Sequence, residues 1–127
     1  MRRVIASCSA LRAQQDAMTL RILDELEGPI WNASKHSFIL PKDKRVPEVI
    51  PANAAEFIYN LNRLGNEMTG DYLVGDEFSL ADIVLVHVMS WALFMQIEIT
   101  HQGLKDYAKR IRSRAAYQTV FEALKAE

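Results

Sequence analysis

An all-α bundle packed around one buried helix is the fold class this sequence predicts, and three observations predict it. Ser79 and Asp82 make a helix-start device ahead of an almost wholly apolar run from Leu80 to about Ile97. Elsewhere apolar residues recur at steps of three or four, and no segment reads as a strand that could build a sheet.

The first helix is predicted from about Val4 to Ile30, where Val4, Cys8, Leu11, Met18, Ile22, Leu26 and Ile30 form one stripe and polar Gln15 fills its vacancy. Gly28-Pro29 is expected to kink or end it, because proline lacks a donor and crowds the preceding turn. Pro41, Pro47 and Pro51, with Lys42-Asp43-Lys44-Arg45 among them, suit an exposed connection over residues 34–51. Pro51 then starts a second helix whose stripe is Ala54, Phe57, Ile58, Leu61, Leu64 and Met68, ending at Gly70.

The central helix carries the clearest start signal. The Ser79 hydroxyl is placed to accept from a backbone amide one turn in, while Asp82 reaches back to the Ser79 amide; this is a capping box with Asp in the usual Glu position. Phe78, just outside, is placed to staple onto Ile83. Beyond Gly103, Leu104, Tyr107, Ala108 and Ile111 describe a fourth helix, and Tyr117, Val120, Phe121 and Leu124 a short terminal one.

The 127 residues read as a single domain, 1–127, with 50% hydrophobic residues, 24% charged and a formal net charge of -1. That balance gives no electrostatic reason to expect nucleic acid or an anionic membrane. Arg2, Arg3 and the basic run Lys109 to Arg114 read as solvated surface. The Leu80 to Ile99 stretch is interrupted by Asp82, His87, Ser90, Gln96 and Glu98, which suits a buried helix better than a membrane span. Cys8 is the sole cysteine, which excludes an internal disulfide and makes the cytoplasm the expected compartment. His36, His87 and His101 lack partners at ligand spacing, so no metal site is expected.

The segment Gly75-Asp76-Glu77-Phe78-Ser79-Leu80-Ala81-Asp82 resembles the capping-box motif of the C-terminal helical domain of glutathione S-transferases, and other landmarks agree in order. Leu26-Glu27-Gly28-Pro29-Ile30-Trp31 resembles the proline-containing end of that domain's first helix. Trp91-Ala92 falls where bacterial members carry the same pair, and Gly103-Leu104 to Ala116 resembles the penultimate helix, with Ala115 in place of a proline.

The resemblance implies a domain that lines the hydrophobic electrophile site and part of a homodimer surface. Trp91, His87, Leu23 and Glu27 are the expected substrate-binding residues, an aromatic slab with apolar and polar neighbours. Glutathione would be the co-substrate of the complete family enzyme, held by a thioredoxin-like domain in cis or in a partner chain. This chain shows no thiolate-stabilising site of its own, so no cofactor and no catalytic residue are expected in it, and conjugation by it alone is not expected. The Val4 to Ser9 segment imitates a strand leading to a reactive cysteine at a helix start, yet Cys8 reads better as a small buried member of the first stripe. Asp82 is taken by the capping box and is not expected to act as a general base.

A different class of function is a non-catalytic protein–protein interaction module of the same fold. The pocket-capable Trp91, and the absence of a basic or leucine-rich exposed surface, favour the substrate wall.

Overall fold

The computed structural model describes residues 8–126, and among them every regular element is a helix or helical turn, with no strand. Helix α1 spans Ser9–Ile22, followed without a break by a five-residue π-helical turn, Leu23–Glu27, then α2, Gly28–Ser34, and a second π turn, Lys35–Ile39. A 3-10 turn, Lys42–Lys44, leads to α3, Val49–Glu67; then come α4, Leu80–Phe94, α5, Gln102–Arg112, and α6, Ala115–Lys125.

Pro29 does not end the first helix. It has no amide to give the carbonyl one turn back, that of Glu25, and two local adjustments absorb the loss. The chain widens into the π turn, in which the Gly28 amide donates to the Leu23 carbonyl. Asn60 on α3 then supplies the missing donor, its Nδ2 lying 3.0 Å from the Glu25 carbonyl oxygen. The helical path therefore continues to Ile39, and the exposed connection is shorter than the prolines suggest.

The core joins α1, the first π turn and α2 (Ile22, Leu26, Ile30) to α3 (Phe57, Leu61, Leu64), α4 (Leu85, Val86, Met89) and α5 (Leu104, Tyr107, Ile111), all nearly inaccessible. Each such side chain contributes about 1.5–3 kcal/mol relative to exposure. Gly65 lets α3 approach α5 closely, because a Cβ there would lie 2.8 Å from Leu104 Cδ1.

Helix α4 stops at Phe94, three residues before the expected Ile97, and the stop has a clear cause. The Ile97 amide donates to the Ala92 carbonyl and the Gln96 amide to that of Leu93, the two bonds of a Schellman ending. The motif requires a left-handed residue between them, and Gln96 adopts it with φ of 59°. Helix α4 is also not buried all round: Ile83, His87, Leu93 and Phe94 are exposed.

Residues 1–7 lie outside the described part, so the proposed Val4 start and the basic pair Arg2 and Arg3 lie there too. Cys8 is exposed rather than buried: it is the N-cap of α1, and its Sγ accepts from the Leu11 amide at 3.4 Å. A thiol that caps a helix must point back along the axis instead of sideways into the stripe.

Candidate functional site

Two clusters organise the molecule, and the first is structural. Asp82 is fully buried and accepts four hydrogen bonds: from the Ser79 amide at 2.8 Å, the Ser79 hydroxyl at 3.2 Å, the Leu73 amide at 3.0 Å and the Tyr107 hydroxyl at 2.7 Å. The capping box is formed, and its carboxylate also ties down the segment before α4 and the middle of α5. Burial first, and the neighbouring Asp82 charge second, push the Tyr107 phenol far above its ordinary value, which keeps it protonated as a donor. With every contact directed inward, Asp82 has no face left for a substrate.

Phe78 makes two ring contacts on the near side of α4. Its ring meets Tyr72 edge-on at 6.2 Å and carries the Arg114 guanidinium 3.5 Å from its centroid, while Ile83 is 44% exposed. The other arginines of the basic run are also engaged rather than simply solvated. Arg110 Nη2 donates to the Asp71 carbonyl at 2.7 Å, and Arg112 Nη2 to the Ser90 hydroxyl at 2.8 Å.

The second cluster lies along the seam between the first helical path and α4. Leu23, Glu27 and Trp31 follow one another at one-turn spacing, and His87 and Trp91 do so on α4. Trp31 meets Trp91 edge to face, with ring centroids 6.0 Å apart at 66°. His87 tilts toward the same ring at 6.4 Å. Trp31 is 43% and Leu23 42% exposed, His87 is exposed, and Trp91 and Glu27 are half-buried. Further along both elements, Phe38 and Phe94 form another edge-to-face pair at 5.9 Å.

Of the residues expected to bind substrate, His87 and Trp91 meet at this seam, where Trp31 joins them; Leu23 and Glu27 lie two turns and one turn before Trp31 on the first helical path. Trp31 was legible as the next residue, after Leu23 and Glu27, in the same four-residue step. The Phe38–Phe94 pair was not, because the first helix was expected to end near Pro29. The seam offers flat apolar rings with an imidazole nearby, a surface suited to an apolar or aromatic molecule. A cavity of about 340 Å³ lies elsewhere, among α1, the end of α3 and the segment before α4. Among the described residues no group of three or more His, Cys, Asp or Glu is placed to hold a metal ion, and no helix is long and apolar enough to cross a membrane.

The sequence profile of the glutathione S-transferase C-terminal domain matches residues 15–115, and the chain belongs to that family. A search of curated proteins returned no match.

Solved structures give the same fold. A glutathione S-transferase domain-containing protein of Marinobacter aquaeolei VT8 superposes with a TM-score of 0.82 at 18% identity, over 92% of this chain and 60% of that one. Gtt2 of Saccharomyces cerevisiae gives 0.83 at 17% identity, covering 91% and 60%. The bacterial transferase BphK, solved as a ternary complex, gives 0.81 at 21%, covering 94% and 58%. The chain thus spans about three-fifths of the length of these proteins.

Proposed function

We propose that this domain supplies the hydrophobic wall of an electrophile-binding site in glutathione conjugation. The observation that carries the reading is the accessible Trp31–Trp91 pair, with His87, Leu23 and Glu27 on the adjoining turns. Trp91 and Trp31 present ring surface to a flat apolar substrate, Leu23 extends that surface, and His87 and Glu27 orient polar substituents. Glutathione, as co-substrate, is held by a thioredoxin-like domain in cis or in a partner chain. The assembly is a cytoplasmic homodimer to which this domain contributes part of the contact surface.

The domain is not catalytic alone, because activation of a thiol requires a pre-organised base or cationic environment, and the seam provides flat rings for positioning instead. The test mixes the purified chain with glutathione and 1-chloro-2,4-dinitrobenzene. Conjugation at the uncatalysed rate is expected, and a rate clearly above it contradicts the division of labour.

A second reading, a non-catalytic interaction module, is favoured by one feature. Helix α6 exposes Val120 (60%), Phe121 (42%) and Leu124 (66%), an apolar surface that includes one leucine. A docking role for it predicts that Phe121→Ser weakens association with a protein partner while aromatic binding at the tryptophan seam is unchanged.

A further inference from the structure

The cavity of about 340 Å³ stands apart from the tryptophan seam and has its own chemistry. Met18, Leu64, Met68 and Leu73 supply an apolar lining, and Glu67 and Asp76 bring carboxylates to it. Its volume is at the small end of the range for small-molecule sites, roughly 300–1,000 Å³. Thioether side chains adapt readily to a flexible alkyl stem.

The charged groups among its described lining residues, Glu67 and Asp76, are both acidic. Among the described residues no lysine or arginine lines the cavity, and the chain from Glu67 to Glu77 contains Glu67, Asp71, Asp76 and Glu77 with no basic residue. Arg21 holds the Glu67 carboxylate, with Nη2 3.2 Å from Oε1, and Arg110 lies 3.8 Å from Asp71. Asp76, exposed on the rim, is left as the carboxylate best placed to meet a ligand. Its position is set by Gly75, whose φ of 65° favours glycine and whose backbone sits against Leu11, leaving a Cβ only 3.3 Å from Leu11 Cδ2.

We propose that this cavity binds a small alkylammonium compound, its stem on the methionine and leucine lining and its ammonium group at Asp76. An anionic counterpart meets the same lining with the wrong sign of charge. A ligand of this size binds weakly, with Kd of order millimolar. An exposed ion pair of this kind changes affinity by about three- to fivefold.

The test titrates the full chain with hexylammonium, 1-hexanol and hexanoate at constant ionic strength, following backbone amide resonances. The expected result is saturable shifts at Thr69, Gly70, Gly75 and Asp76, strongest for hexylammonium, about three- to fivefold weaker for hexanol and weakest for hexanoate. Asp76→Asn, an exposed substitution, should bring hexylammonium down to the level of hexanol. Equal binding of the three probes, absence of saturation, shifts centred on the indoles instead of Asp76, or an ammonium preference that survives Asp76→Asn would each overturn the proposal.

Discussion

At the scale of the residue, Asp82 shows how a local signal acquires a long-range role. Its bond to Ser79 was legible because both residues fall within one helical turn, where spacing alone dictates reach. Its bond to Tyr107 was not, since 25 residues separate the two and only the packing of α5 against α4 brings them together. Asp82→Asn places an amide donor where two backbone amides and a phenol already donate, and should lower unfolding stability by about 2–4 kcal/mol. Tyr107→Phe removes one charged-acceptor bond and should cost less, about 1.5–3 kcal/mol; denaturant titration checks both, and a larger loss for Tyr107→Phe would contradict the hub role. Gln96 offers the opposite sign. Its left-handed backbone disfavours any side chain, so Gln96→Gly should raise stability by about 0.5–1 kcal/mol, read as a higher denaturant midpoint.

At the scale of the element, Pro29 is the instructive case. A proline in a helical pattern signals an ending, and here the donor that offsets it comes from a different helix, information that no local window contains. Asn60→Ala should cost about 1–3 kcal/mol by leaving the Glu25 carbonyl unpaired. In a Pro29→Ala background the restored amide can serve that carbonyl, so the cost of Asn60→Ala should shrink in a double-mutant cycle. An unchanged cost would disprove the substitution of one donor for the other. The same principle explains the late end of the first helix and hence the unforeseen Phe38–Phe94 pair. The stripes of α3 and α5, by contrast, were legible because Phe57, Leu61 and Leu64, like Leu104, Tyr107 and Ile111, follow the helical period and are buried as that period requires.

At the scale of the whole molecule, the packing of the first helical path on α3 is tied by charges that titrate. Arg21 bonds Glu25 and Glu67, and Arg63 bonds Glu25 at 2.7 Å. Partial burial tends to raise the Glu25 carboxyl, but hydrogen bonds from Arg21 and Arg63 outweigh it and hold it below its ordinary value of 4.5; the Arg21 hydrogen bond does the same for Glu67. A folded-state value below the unfolded one means that stabilisation is complete above about pH 4.5 and is lost as pH falls through the lower folded values. Denaturant midpoints at pH 6 and pH 3 should therefore differ less for a Glu25→Gln/Glu67→Gln variant than for the natural chain; an equal difference would remove these pairs from the acid response.

The helical architecture was open to sequence reading because the central helix announces itself in adjoining residues, whereas the seam depends on which faces of two helices meet. Its tryptophans give the central claim a direct measurement. The chain contains two tryptophans, so the indole Nε1–H resonances report on Trp31 and Trp91 individually during titration with the unreactive aromatic 2,4-dinitrotoluene. The account predicts saturable shifts of both indoles and, for Trp91→Ala, binding weakened about tenfold, as expected when an aromatic contact of roughly 1.4 kcal/mol is removed. Indoles that stay still while the aromatic binds elsewhere, or a Trp91→Ala variant that binds it equally well, would contradict the substrate wall.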